Sequence, residues 1–171
     1  MTSLQMPKVD KSILSNKDKI ASDLNKILKS ENILSHEDEI RPYETDALAA
    51  YKQKPLLVVL PETVEQVSKI LQYCNENKIK VVPRGAGTGL SGGALPLADC
   101  VLLGMGKFNK ILEIDYQNKC VVLQPCVTNL AITNAVQDKK FYYAPDPSSQ
   151  IACSIGGNVA ENSGGVHSLK Y

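Results

Sequence analysis

Tryptophan is absent from this chain of 171 residues, and phenylalanine occurs only twice. Without broad aromatic faces there is no platform on which single-stranded bases could stack. An excess of one charge is lacking too, since 19 Lys and Arg against 18 Asp and Glu leave a formal net charge of +1. Bulk attraction to nucleic acid or to an anionic membrane is thereby excluded, so any anion site must be local. The five cysteines (Cys74, Cys100, Cys120, Cys126 and Cys153) are odd in number and contain no C-x-x-C pair. That pattern offers neither a disulfide frame nor a metal site, and fits small buried hydrophobes in a reducing compartment. Cys126 is expected to be unreactive, because no electropositive setting surrounds it in the sequence. No apolar run approaches membrane-spanning length, and Met1-Thr-Ser-Leu-Gln-Met-Pro-Lys8 lacks the apolar stretch of a secretory signal. A cytoplasmic protein with no nucleic-acid partner and no membrane span is expected.

Glycine, by contrast, is concentrated. Val81 to Ala94 holds five of the chain's glycines: Gly85, Gly87, Gly89, Gly92 and Gly93. A β-branched run followed by dense glycine suggests a strand that ends in a loop whose backbone must approach something closely. Successive N–H groups in such a loop form a concave anion site, and Arg84 adds a fixed positive charge at its mouth. The expectation is a pyrophosphate-binding loop. Two other motifs fit the same letters. Gly87-Thr-Gly89-Leu-Ser-Gly92 matches a dinucleotide fingerprint, with Glu113 and Asp115 downstream. Gly89-Leu-Ser91-Gly-Gly93 matches a hydrolase nucleophile elbow, with His167 downstream. Both need a helix straight after the loop, whereas Leu95-Pro-Leu97 and the strand-like Cys100–Leu103 leave no room for one. A Walker loop is excluded because Gly106-Lys107 is followed by Phe108.

In chain order, residues up to Asn16 are polar and expected to fray. Lys17–Ser30 carries Ile20, Leu24, Ile27 and Leu28 at helical spacing, and Glu31–Tyr43 reads as an irregular connection with an acidic cluster, Glu37-Asp-Glu39. That cluster and His36 point in different directions, so a solvated loop is expected there, not a metal site. Pro55–Pro61 reads as a buried strand, and Thr63-Val-Glu-Gln66 as a capping box opening a helix with Val64, Val67, Ile70, Leu71 and Cys74 inward. With the strand Ile79–Val82 this makes a βαβ unit whose strands should be parallel. Strands follow at Cys100–Leu103, Ile111–Tyr116 and Lys119–Gln124, the last two joined by Gln117-Asn118 as a hairpin. Val127–Lys139 reads as a helix with Thr128 as N-cap, and Phe141–Tyr143 as a short extended piece. The fold class is α+β: a βαβ unit followed by mainly antiparallel strands.

A second glycine cluster lies about seventy residues beyond the first. Ala144-Pro-Asp-Pro-Ser-Ser-Gln150 is a turn stiffened by two prolines, and Gly156-Gly157 opens onto Asn158-Val-Ala, read as one helical turn with its N–H groups exposed. The two clusters together suit a long ligand with a charged middle and a planar polar end. Pro83-Arg-Gly-Ala-Gly-Thr-Gly-Leu-Ser-Gly-Gly93, Leu112-Glu-Ile-Asp115, Tyr143-Ala-Pro-Asp-Pro-Ser-Ser-Gln150 and Gly156-Gly-Asn-Val-Ala-Glu-Asn-Ser-Gly-Gly165 resemble the FAD-binding domain of glycolate oxidase FAD-linked subunits and D-lactate dehydrogenase-like flavoenzymes. That group belongs to the p-cresol methylhydroxylase/vanillyl-alcohol oxidase superfamily, and the resemblance covers roughly residues 41–171.

The resemblance implies FAD-dependent dehydrogenation of a 2-hydroxy acid such as glycolate or D-lactate. It places the FAD pyrophosphate on Arg84, Gly85, Ala86, Gly87, Thr88 and Gly89, next to Pro83. It lines the flavin with Pro145, Ser148, Gly156, Gly157, Asn158, Ser163 and Gly164. Relatives with covalent flavin often carry histidine where Thr88 stands, which implies non-covalent FAD here. Other subunits of a glycolate oxidase-like complex are implied partners, alongside the small-molecule substrate. Cys126 stands where the family usually has glycine, and is expected to strain the turn. Residues 1–40 are expected to form an N-terminal helical segment and residues 41–171 a truncated FAD-binding domain without a substrate domain. No catalytic residue and no metal ligand are expected within it. A serine hydrolase using Ser91 and an inactive fragment or interaction module remain as alternatives.

Overall fold

The computed structural model describes residues 6–169, which fall into two compact units. The first runs up to Pro83 and includes Leu90–Gly104; the second comprises Arg84–Gly89 and the chain from Met105 onward.

The first unit opens with helices α1 (Lys11–Ser15) and α2 (Lys17–Leu24). Residues 10–16, part of the stretch expected to fray, are instead ordered by their caps, while residues 1–5 of that stretch lie outside the described residues. The Asp10 carboxylate accepts the N–H of Ser12 at 2.8 Å, and the N–H of Asp10 bonds to Asp99 Oδ2 at 2.7 Å. Asp99 is 2% exposed and also holds Lys80 Nζ at 2.7 Å. Helix α2 is shorter than its periodicity predicts, because the chain tightens after Leu24 into a bond from Lys26 N to Asp23 O at 3.1 Å. Ile20, Leu24 and Leu28 are nonetheless all buried. The acidic cluster is one helical turn, α3 (Glu37–Ile40), where a solvated loop was expected. Glu39 reaches back to the N–H of His36 at 3.1 Å, and the acids sit at the positive end of the turn. No cluster of three or more metal-ligating side chains occurs among the described residues.

Four strands form the sheet of this unit: β1 (Ile33–Leu34), β2 (Leu57–Val59), β3 (Lys80–Arg84) and β4 (Cys100–Gly104), in the order β1-β2-β4-β3. Strand β1 is antiparallel to β2, and β2 is parallel to β4, with Val58 opposite Leu102. Helix α4 (Val64–Glu76) joins β2 to β3, but those strands are not neighbours, since β4 lies between them. The most apolar segment takes the central position, covered on both faces, which explains why β2 and β4 read as unbroken hydrophobic runs. The capping box of α4 is formed, with Gln66 N on Thr63 Oγ1 at 3.2 Å and Thr63 N on Gln66 Oε1 at 3.3 Å. Its buried stripe is narrower than expected: Ile70 and Cys74 are buried, but Val64 and Leu71 are exposed. Both lie roughly a quarter-turn round from that stripe at 100° per residue.

The second unit holds an antiparallel hairpin, β5 (Ile111–Asp115) and β6 (Cys120–Leu123), and helices α5 (Asn129–Val136) and α6 (Ile155–Glu161). Asp115 closes the hairpin turn by accepting from Asn118 N at 2.9 Å and Asn118 Nδ2 at 2.6 Å. Ile111, Val121 and Leu123 pack against Val127, Ile132 and Ile155, so the hairpin's inner face rests on the starts of both helices.

Candidate functional site

The loop Arg84–Gly89 lies along α6. A Cβ on Gly85 would collide with the hydroxyl of Ser154, the N-cap of α6, and one on Gly89 with the carboxylate of Glu161, its last residue. The two glycine clusters are therefore in direct contact, from one end of α6 to the other. Gly87 has φ +70, and a Cβ there would lie 2.6 Å from Arg84 Nη2. The left-handed backbone demands glycine at this position, while the guanidinium, at the end of a flexible side chain, could move aside. Among the described residues, no acceptor meets the N–H groups of Gly85, Ala86, Gly87, Thr88 or Gly89. Five successive open donors beside a guanidinium are the donor set of an anion site.

Beside Gly85 and Ala86 opens a cleft of about 320 Å³, lined also by Gly106, Cys126, Thr128 and Ser154. Helix α5 starts at this cleft, and its N-cap residue Thr128 makes no side-chain capping bond. The hydroxyl is thus not spent on the helix, whose Leu130 N–H is taken by Gln150 O at 2.9 Å. Asn129 N to Cys153 O at 3.1 Å and Ile155 N to Val127 O at 2.9 Å hold the starts of α5 and α6 side by side.

The second cluster is braced by its own neighbours. Its N–H groups are not exposed: Gly156 N bonds to Pro125 O at 2.8 Å, Gly157 N to Ser154 Oγ at 3.4 Å and Asn158 N to Ser154 O at 2.9 Å. Gly156 is glycine because a Cβ would press on Pro125, 2.7 Å from its Cβ and 3.0 Å from its carbonyl oxygen. The buried side chain of Asn158 donates to Asn129 Oδ1 at 3.0 Å, and Asn129 Nδ2 donates to Pro145 O at 2.9 Å. Sequence reasoning missed Asn129; its only signal is an amide placed directly after an N-cap in an apolar helix. Ser163 N bonds to Asn158 O at 2.9 Å, and Asp146 N to Gly164 O at 3.1 Å. Pro145, Gly156, Gly157, Asn158, Ser163 and Gly164 are thus brought together, while Ser148 is exposed on the proline turn and Pro83 is exposed in β3. His167 Nδ1 lies 3.0 Å from Asp146 Oδ1, which ties the last described turn to the same proline segment.

Cys126 does not strain the backbone as expected, for its φ is not positive. Its N–H bonds to Phe108 O at 2.7 Å, and its sulfur takes up part of the cleft, 4.0 Å from the place of a Gly85 Cβ. Burial pushes the thiol pKa up, and a hydrogen bond with Ser154 offsets this only in part. A protonated, half-buried thiol is a poor nucleophile.

Residues 55–171 match the protein family described as FAD binding domain. The glycolate oxidase subunit GlcD of Escherichia coli (strain K12) is 61% identical over 139 residues, which are 81% of this chain and 28% of that protein. GlcD of Bacillus subtilis (strain 168) is 43% identical over 75% of this chain and 27% of its own length. A D-lactate dehydrogenase of Anaerostipes hadrus is 39% identical over 78% and 28%. The chain thus spans little more than a quarter of the length of these relatives. An alkyldihydroxyacetonephosphate synthase matches 99% of this chain with 32% of its own, at TM-score 0.78 and 21% identity, a likeness of fold alone. p-Cresol methylhydroxylase matches 88% of this chain with 30% of its own, at TM-score 0.70 and 25% identity. The fold is that of p-cresol methylhydroxylase-type FAD-binding domains. Its open loop donors, left-handed Gly87 and adjoining cleft fit a diphosphate-containing cofactor. The chain belongs to the FAD binding domain family, and its cofactor is FAD.

Proposed function

We propose that this chain is the FAD-binding part of an oxidoreductase that dehydrogenates a 2-hydroxy acid of the glycolate or D-lactate type. The observation that carries this is the row of open N–H donors at Gly85–Gly89 beside the Arg84 guanidinium, on a chain 61% identical to a glycolate oxidase subunit over 139 residues. When bound, FAD supplies the redox chemistry by accepting electrons from the substrate. The chain's own residues bind and orient. The backbone of Arg84–Gly89 holds the diphosphate, Thr128 and Ser154 offer hydroxyls in the cleft, and the Asn158–Asn129–Pro145 bonds keep the second cluster rigid. Thr88 cannot form the bond that a histidine would make to the flavin, so FAD is held non-covalently. Other subunits of a glycolate oxidase-like complex are the partners this reading implies.

Purified protein mixed with FAD should elute from a sizing column with flavin absorbance, and acid precipitation should leave a colourless pellet. A yellow pellet would overturn the non-covalent assignment, and protein eluting without flavin would overturn the cofactor site. The second reading is a serine hydrolase using Ser91. Residues 92–99, directly after Ser91, form no helix, and the exposed hydroxyl of Ser91 meets no base among the described residues. A fluorophosphonate probe that labels Ser91 would support it, and absence of labelling is expected.

A further inference from the structure

Building on the FAD reading of the glycine loop, we propose that Glu161 selects the cofactor: its carboxylate accepts a sugar-alcohol hydroxyl next to the diphosphate and rejects ligands that put more negative charge there. Glu161 ends α6, and its carboxylate fills the space that a side chain on Gly89 would take, with Cδ 3.1 Å and Oε2 3.3 Å from the position of a Cβ there. The side chain is exposed, and no donor meets it among the described residues. Two residues earlier the Arg84 guanidinium stands over Gly87. The loop therefore presents a cation at Gly87 and an anion at Gly89, with open N–H donors between them.

A purely anionic ligand running the length of this loop would bring like charges together at Gly89, where repulsion from Glu161 offsets part of the attraction of the N–H donors and Arg84. A dinucleotide meets the same charges differently. Its diphosphate takes the N–H donors and Arg84, and a neutral hydroxyl of the adjoining ribityl or ribose donates to Glu161. An O–H donor on a carboxylate makes a charge-assisted bond, stronger than a bond between neutral groups. Arg84 supplies affinity for the anion, whereas Glu161 supplies discrimination between anions.

The test compares calorimetric binding of FAD and of inorganic pyrophosphate by the wild-type chain and by Glu161→Gln, Glu161→Ala and Glu161→Asp. Glu161→Gln should weaken FAD about tenfold (about 1.4 kcal/mol) while pyrophosphate tightens severalfold. Glu161→Asp should keep most of the preference for FAD, which a simple loss of helix stability would not predict. Far-UV circular dichroism of the four proteins should coincide, since the side chain is exposed. FAD binding that is unchanged or tighter in Glu161→Gln would overturn the role of Glu161 and leave the FAD reading standing. A wild-type chain that binds neither ligand would overturn both.

Discussion

At the scale of single residues, Gly87 and Arg84 separate backbone from charge. Gly87→Val should abolish FAD binding, because a β-branched residue resists φ +70 and its Cβ would meet the guanidinium. Arg84→Ala should weaken binding by only about 1–3 kcal/mol, the range of a hydrogen bond to a charged group. Flavin fluorescence titration checks both, and equal small effects would mean that the loop is mere surface. Cys126 shows how a residue can depart from its family's pattern without strain. Because its φ is not positive, Cys126→Gly should relieve nothing and should lower stability by about 0.4–1 kcal/mol through added freedom of the unfolded chain. A urea midpoint above that of the wild type would contradict this. The glycines of the first loop could be recognised from sequence because φ > 0 and close approach restrict the residue type. The pairing of Asn129 with Asn158 could not, because an amide is compatible with many partners.

At the scale of elements, caps and buried polar contacts decide more than helical periodicity does. Asn129→Ala or Asn158→Ala leaves the other amide buried and short of a partner, at a cost of about 1–3 kcal/mol each. The double variant should cost less than the sum, since both singles break the bond that the two amides share. Chemical denaturation of the three proteins measures it. The Asp99 contact offers a pH signature. Burial raises the pKa of this carboxyl, but the Lys80 ammonium and the N–H of Asp10 outweigh it and hold the group below the ordinary aspartate range. Its contribution is therefore complete above the pKa of the unfolded chain and is lost as pH falls through the lower, folded value. Asp99→Asn should reduce stability near neutrality and flatten the acid limb of the stability curve. An unchanged acid limb would remove Asp99 from that account. The end of α2 and the helical turn at Glu37 escaped the periodicity argument because a single turn carries too few apolar positions to display a period.

At the scale of the whole molecule, the chain spans 28% of the glycolate oxidase subunit it matches. The 171-residue polypeptide alone is expected to bind FAD without reducing it by glycolate or D-lactate, because among the described residues no charged side chain lines the cleft to clamp a carboxylate. Steady dye reduction by either acid with this polypeptide and FAD would contradict that expectation. The hairpin adds a second consequence, for Leu112 and Val122 stay 60% and 49% exposed on its outer face. Replacing both with threonine should raise solubility without moving the thermal midpoint by more than a few degrees, as surface substitutions do. No helix among the described residues is long and apolar enough to cross a membrane. By itself the sequence determined the local elements whose chemistry is local: the capping box at Thr63, the hairpin at Gln117-Asn118, the glycine loop after β3. Those depend on residues a few positions apart, so spacing alone discloses them. Only the tertiary structure decided that β4 enters between β2 and β3, and that Gly85 and Gly89 rest on the two ends of α6. It also decided that the N–H groups of the second cluster are used up by Pro125 and Ser154. Each of these is a contact between segments far apart in the chain, chosen by burial and by hydrogen-bond satisfaction over the whole unit, and one-dimensional spacing carries no record of that choice.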